Sequence, residues 1–143
     1  MGRTEEVKIR IATSADVPSI VKLLKQVWTI DETIDMTKSF NDCILNDSQF
    51  IVAEVDSKIV GSLMLHYQKK LIRSGCIYGF IEEVVVDEKY RGNQIGKKLV
   101  ENAADVAKKD RCYKVILSCY PERIKFYERC KFTQDLYTMR MDL

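Results

Sequence analysis

Polar and apolar positions alternate along some stretches of the chain and recur at helical spacing along others. Residues 7–13, "VKIRIAT", alternate and predict a first strand. Residues 50–68 are typical of two strands around a polar turn at Asp56-Ser57, which predicts an antiparallel hairpin. Further apolar runs predict strands at 78–86 and 113–119 and a closing strand at 137–143.

Apolar residues three and four positions apart predict helices between these strands. One face from residue 17 to residue 28 and another from 95 to 109 are apolar, and a weaker pattern covers 34–45. A short helix is predicted in "PERIKFYERC", residues 121–130. The element order indicates an α/β fold whose middle section is a strand–helix–strand crossover.

Composition limits the classes of function. A chain of 143 residues fits one domain, which we assign to residues 1–143. A net charge of +2 is too small to argue for a nucleic-acid partner. The opening "MGRTEEVKIR" has no apolar signal core, and no apolar run is long enough for a membrane span. Five cysteines without a C-x-x-C favour reduced thiols over disulfides or zinc, so we expect a cytoplasmic protein with no metal.

The stretch "VVVDEKYRGNQIGKKLV", residues 84–100, joins a valine-rich strand to a helix through a turn that contains Gly92 and Gly96. Unpaired N–H groups at the start of such a helix, helped by Arg91 or Lys97, would bind phosphate. The alternative is that both glycines only let the chain turn and the helix pack closely. No Ser or Thr follows the lysines as a P-loop requires, and no dinucleotide-binding G-x-G-x-x-G is present.

The same stretch resembles the acyl-CoA-binding signature of the GNAT family of N-acetyltransferases, [QR]-x-x-G-x-[GA]. Arg91, Ile95 and Gly96 fit the signature, whereas Gln94 stands at its central Gly, which costs energy only if the backbone there is left-handed. "FYERCKF", residues 126–132, is similar to the family's F-Y-E-K-x-G-F segment, with Lys131 replacing Gly. The resemblance runs from residue 8 to 141 and is greatest to the glucosamine-6-phosphate N-acetyltransferase branch.

The resemblance implies a GNAT-type fold with a mixed sheet of about six to seven strands flanked by about four helices. It also implies acetyl-CoA as co-substrate without a metal, and a homodimer. The residues that it assigns to acetyl-CoA are Val84, Val85, Val86, Arg91, Gly92, Asn93, Gln94, Ile95, Gly96, Lys97 and Tyr127.

Two side chains are candidates for catalysis. Glu82 and Glu83 lie on the strand before the loop, and strand alternation sends them to opposite faces. The resemblance places Glu82 where the family holds or deprotonates the amine, with Glu83 as the lesser candidate, and it places the Tyr127 phenol near the CoA sulfur. Alternatively, the glutamates are solvated charges and Tyr127 is a packing residue.

These features indicate an N-acetyltransferase that moves acetyl from CoA to a primary amine of a small molecule, with glucosamine 6-phosphate as one acceptor, by direct attack in a ternary complex. Ser118 and Arg123 depart from the sugar-phosphate branch, and the basic residues available for a phosphate are Lys69, Lys70, Arg73 and Arg140. His66, the one histidine, is interpreted as a strand residue. The alternatives are a non-catalytic acyl-CoA-binding or sensing module, or an acetyltransferase for a polyamine, aminoglycoside or peptide.

Overall fold

A computed structural model describes residues 5–143 and contains one sheet with the strand order β1-β2-β3-β4-β5. Its strands are β1 (Lys8–Ile11), β2 (Ser48–Val55), β3 (Lys58–Lys69), β4 (Ile77–Val86) and β5 (Lys114–Ile116). Strands β1 to β4 pair with one another in antiparallel fashion and β5 is parallel to β4, so the sheet is mixed as predicted. The prediction that residues 1–10 contain no signal core falls partly on Met1–Thr4, and these four residues lie outside the described residues.

Residues 5–143 form five helices, four between strands and the last after β5: α1 (Val17–Leu24), α2 (Met36–Leu45), α3 (Ile72–Gly75), α4 (Ile95–Lys109) and α5 (Ile124–Arg129). Pro18 lies in the first turn of α1, where its missing N–H costs no hydrogen bond. The Asp35 side chain caps α2 by accepting from the Lys38 N–H at 3.0 Å. Lys108 and Lys109 end α4, where positive charge is favourable beside the helix dipole.

The side chains of the sheet alternate between two apolar cores. On β2, Phe50 and Val52 face α1 and α2, whereas Ile51 and Ala53 face α4. Helix α4 packs closely on β3 at Gly61. A Cβ at this position would be 2.8 Å from Leu99 Cδ1 of α4, so only glycine leaves enough room. This packing fixes the start of α4 beside the end of β4.

Four details of the sequence prediction are wrong. Within residues 5–143 the sheet has five strands rather than six to seven, and there are five helices rather than four. The closing strand predicted at 137–143 is absent, because a strand needs a paired edge and no described strand pairs with this segment. Helix α1 ends at Leu24 and not at residue 28, and beyond it the Gln26 and Val27 N–H groups bond three residues back, in 3₁₀ fashion.

Candidate active site

Strands β4 and β5 separate beyond Phe80 and Ile116, the last pair in their parallel register. Strand β5 ends there, shorter than the predicted strand at 113–119, while β4 continues to Val86. The gap is a cleft of ≈ 310 Å³, lined by Phe80, Ile81, Glu82, Glu83, Ile116, Leu117 and Ser118. Ligands commonly bind in a crevice at the carboxyl ends of parallel strands, so this cleft is the candidate active site.

Glu83 forms a bulge in β4. Met64 pairs with Glu82 and Ser62 with Val85, so three steps along β4 face two steps along β3. The extra residue, Glu83, has a left-handed backbone with a φ of 53°, which is uncommon for a residue with a side chain. The expected alternation of Glu82 and Glu83 therefore does not hold here, and both residues line the cleft.

The two carboxyl groups share one electrostatic environment. Partial burial raises the pKa of Glu83, and the neighbouring Glu82 charge raises it further. Burial raises the pKa of the Cys43 thiol on α2, and the Glu83 and Asp42 charges raise it further. A carboxylate with a raised pKa is a better proton acceptor than an ordinary one.

Residues 91–97 lead from the end of β4 into α4. Among residues 5–143, none of the backbone N–H groups of 91–97 has a hydrogen-bond acceptor. These groups lie at the positive end of the α4 dipole, where N–H donors favour an anion. The loop therefore has the donors that the sequence predicts for a phosphate-binding turn.

Two loop residues have left-handed backbones. Gly92 has a φ of 85° and open space around its Cβ position, so glycine serves the backbone conformation there. Gln94 has a φ of 60°, a conformation that costs a residue with a side chain roughly 1–2 kcal/mol. Arg91 Nε donates to Val86 O at 3.2 Å and holds the loop to β4, while Lys97 forms a weak ion pair within α4.

The other residues assigned to acetyl-CoA are mainly structural in their side chains. Val85 and Ile95 are buried, and Val84 and Val86 pack against the core on the α4 side of the sheet. The Asn93 side chain donates to the carbonyl of the preceding turn at 3.1 Å. The valines and Ile95 can offer a ligand hydrogen bonds only through their backbone, because their side chains have no polar atoms.

Tyr127 is linked to the loop through its neighbour on α5. The Tyr127 ring meets the Phe126 ring edge to face with centroids 4.9 Å apart, and Phe126 lies against Gly96. Burial raises the pKa of Tyr127, with smaller contributions from Cys119 and Cys130. The hydroxyl therefore stays protonated at neutral pH. Tyr127 does not line the cleft that Glu82 and Glu83 share.

Two lysines lie over aromatic rings beside the cleft. Lys70 Nζ is 5.1 Å from the Tyr78 ring centroid and 5.9 Å from that of Phe80, and Lys114 Nζ is 4.8 Å from that of Tyr78. Tyr78, Phe80 and Glu82 alternate along β4 and so share a face. Two ammonium groups therefore lie on the face of the sheet that bears Glu82.

The remaining basic candidates lie elsewhere. Lys69 is exposed at the end of β3. The Arg73 guanidinium lies 4.4 Å from the Tyr113 ring centroid, and Arg140 pairs with Asp142 at 2.6 Å in the exposed C-terminal segment. Of the four basic residues considered, only Lys70 comes near the cleft.

Sequence reasoning missed Lys114, Phe80, Ile116 and Leu117. The available signal was the predicted parallel pairing of residues 78–86 with 113–119, since this pairing sets Tyr78 opposite Lys114. His66, expected as a strand residue, lies on β3. Within residues 5–143, no three metal-binding side chains cluster, and no helix in that range is long and apolar enough to cross a membrane.

Comparison with known proteins identifies the class. The sequence profile of the acetyltransferase (GNAT) family matches residues 17–132, so the chain belongs to this family, whose acetyltransferases use acetyl-CoA. The chain is 32% identical to glucosamine 6-phosphate N-acetyltransferase of Trypanosoma brucei brucei, covering 96% of this chain and 97% of that enzyme. It is 38% identical to glucosamine 6-phosphate N-acetyltransferase 1 of Dictyostelium discoideum over 61% of this chain and 57% of the relative.

The crystal structure of glucosamine-6-phosphate N-acetyltransferase from Arabidopsis thaliana superimposes with a TM-score of 0.88. The two sequences are 33% identical, and the match covers 96% of this chain and 99% of that one. The resemblance found in the sequence is therefore confirmed for the family and the fold.

Proposed function

We propose that this protein transfers the acetyl group of acetyl-CoA to the amine of glucosamine 6-phosphate by direct attack in a ternary complex. The names of its relatives support this acceptor. One structural observation carries the proposal: Glu82 and Glu83 line the cleft, while the ammonium groups of Lys70 and Lys114 lie over the Tyr78 ring on the Glu82 face of the sheet. An amino sugar phosphate carries the two complementary charges.

The Lys70 and Lys114 pair fits the phosphate end of this acceptor. Tyr78 precedes Glu82 by four residues, about 13 Å along a strand, so the lysines lie away from the carboxylates. An anionic phosphate between two ammonium groups forms charge-assisted hydrogen bonds, while an ammonium at the other end pairs with a glutamate. The charge pattern therefore orients the amine towards Glu82.

The loop fits the other substrate. Acetyl-CoA, when bound, supplies the thioester acetyl group. Its pyrophosphate needs several convergent donors, and the free N–H groups of residues 91–97, with Arg91 and Lys97 nearby, have that character. Backbone N–H groups of Val84 and Val86, beyond the end of β5, would hold the acetyl carbonyl and the pantetheine arm.

Different side chains serve the two proton transfers, one from the amine and one to the thiolate. Glu82 holds the substrate ammonium or takes its proton, because the amine attacks only when neutral. Glu83 shares the cleft and is the second candidate for this proton. Tyr127, whose hydroxyl stays protonated because burial raises its pKa, donates to the departing thiolate.

Thiol release from acetyl-CoA by the purified protein tests the proposal. The acceptors are glucosamine 6-phosphate, glucosamine, a polyamine, an aminoglycoside and a peptide. Saturable release with glucosamine 6-phosphate supports the proposed acceptor. Turnover of another amine alone keeps the acetyltransferase and discards the sugar phosphate, and acetyl-CoA binding without any turnover favours a non-catalytic binding or sensing module.

We also propose a homodimer that uses the C-terminal segment. Tyr137, Met139, Met141 and Leu143 alternate with polar residues and are 84–115% exposed, which suits a strand that pairs with a second copy. Sedimentation of the full chain against a chain ending at residue 135 tests this, and a monomeric full chain would overturn it. We further infer one acetyltransferase domain over residues 1–143 and a cytoplasmic location, which the five free cysteines support.

A further inference from the structure

A side chain that follows α1 holds the turn between β4 and the 91–97 loop. Gln26 Oε1 accepts a hydrogen bond from the Glu88 N–H at 3.1 Å. The Gln26 side chain also helps to lower the pKa of the Asp87 carboxyl. Gln26 lies 62 residues before Glu88 in the sequence, so its hydrogen bond to Glu88 ties two distant parts of the chain together.

Asp87 organises the rest of this turn. The residue is 7% exposed, and its carboxylate accepts from the Lys89 N–H at 3.0 Å and lies 3.5 Å from Lys58 Nζ. The Lys89 hydrogen bond and the Lys58 charge hold the pKa of Asp87 below its ordinary value. The Asp87 N–H donates to Val60 O and the Tyr90 N–H donates to Asp87 O, both at 2.8 Å.

Every backbone N–H from residue 87 to residue 90 thus has an acceptor, whereas those of residues 91–97 have none among the described residues. The turn is the fixed base from which the free donors project. Donors bind a pyrophosphate well only when they point at one place, so a small rotation of the turn would misdirect all of them.

We propose that Gln26 is a positioning residue for acetyl-CoA, which acts through Asp87 and Glu88 to set the direction of the loop's N–H groups. The inference rests on the assignment of residues 91–97 to acetyl-CoA made above. Gln26 itself is exposed and lies outside both apolar cores, so its loss leaves no cavity. Positioning can therefore be separated from stability at this residue.

Gln26→Met keeps the length of the side chain and removes its hydrogen bond to the Glu88 N–H. We expect the KM and the Kd for acetyl-CoA to rise roughly 3- to 10-fold, the change that follows the loss of one net hydrogen bond. The kcat and the KM for the acceptor should stay within about twofold, and the melting temperature should change little, as for an exposed substitution. A merely structural role would lower the melting temperature and leave the acetyl-CoA constants unchanged.

Lys25→Met is the matched control, because Lys25 is the exposed neighbour of Gln26 and pairs with Glu32 on the surface. It should leave the acetyl-CoA constants unchanged. Equal effects of the two variants, or no effect of Gln26→Met, overturn the inference.

Gly92→Val separates this test from the loop assignment, since valine is strained at a φ of 85°. If Gly92→Val binds acetyl-CoA normally, residues 91–97 are not the acetyl-CoA site, and the inference about Gln26 fails with that assignment. If Gly92→Val impairs acetyl-CoA binding and Gln26→Met does not, the loop assignment stands and only the positioning role of Gln26 is rejected. If the unaltered protein does not bind acetyl-CoA, the proposed function fails and so does the inference.

Discussion

The ring of Phe126 lies directly against Gly96, so that a Cβ at position 96 would be 3.2 Å from Phe126 Cζ. This contact joins the first turn of α4 to the helix that bears Tyr127. The small residue that the family signature requires at this position is thus explained by packing between two helices.

Gly96→Ala should be tolerated with a modest loss, whereas Gly96→Val should not. One methyl group displaces Phe126 by a few tenths of an ångström and shifts Tyr127 with it, so we expect kcat to fall several-fold and the KM for acetyl-CoA to change little. The larger valine overpacks the contact at a cost of about 1–3 kcal/mol. Steady-state kinetics and thermal unfolding of both variants check this, and an unchanged kcat in Gly96→Val would contradict it.

Tyr127→Phe should lower kcat by about 10²-fold, the lower end for loss of a general acid. The ring and its edge-to-face contact with Phe126 are kept, so thermal unfolding should change little. Single-turnover rates with acetyl-CoA check the chemical step directly. The role fails if the variant retains the full single-turnover rate.

Glu83→Gln should raise stability at neutral pH. Because burial raises the pKa of Glu83 in the folded state, folding favours its protonated form, so stability falls as the pH rises from the ordinary glutamate pKa through that raised pKa. Below the ordinary glutamate pKa, Glu83 is protonated in both states and this contribution disappears. Melting temperatures of variant and parent from pH 4 to 8 should therefore diverge as pH rises, and convergence at high pH would contradict this.

Glu82→Gln should shift the acid limb of the pH–rate profile to lower pH if residual activity depends on Glu83. The Glu82 charge raises the pKa of Glu83, so its removal lets Glu83 ionise at lower pH. We expect kcat/KM at the optimum to fall by about 10²-fold, since Glu82 is the proposed base. Full turnover in Glu82→Gln would remove Glu82 from the mechanism.

Lys70→Met and Lys114→Met should each raise the KM for glucosamine 6-phosphate about tenfold or more, the effect of a lost charge-assisted hydrogen bond. The KM for acetyl-CoA should not change. Unphosphorylated glucosamine supplies the internal control, because its turnover should be affected much less. Lys69→Met is the matched variant, since Lys69 is an exposed neighbour away from the cleft, and an equal effect there would contradict the assignment.

The sequence predicted the elements that carry their own periodic pattern. The helix over 95–109 has the predicted bounds, and the hairpin and β4 lie where the alternation indicates. The closing strand failed because alternation describes one strand, whereas strand formation depends on a partner edge. The segment 137–143 has the pattern without a described partner.

The site was predicted less completely because it depends on departures from regular structure. Alternation could not anticipate the bulge at Glu83, whose left-handed backbone brings two carboxyl groups into one cleft. At two positions the residue type changed but the backbone conformation did not: Gln94 and Lys131 replace family glycines and keep left-handed backbones with φ of 60° and 69°. The fold thus imposes the glycine conformation on residues that do not favour it.

Within the described residues, the backbone N–H groups of residues 87–90 are hydrogen-bonded and those of residues 91–97 are not, so the two segments should take up deuterium at different rates. Amides with an acceptor exchange only when the turn opens, whereas amides without one exchange readily from the folded protein. The exchange rates of these seven neighbouring amides therefore report whether a ligand occupies the loop. Slowed exchange confined to residues 91–97 would report loading at this loop with any acyl donor, before an acceptor amine is known.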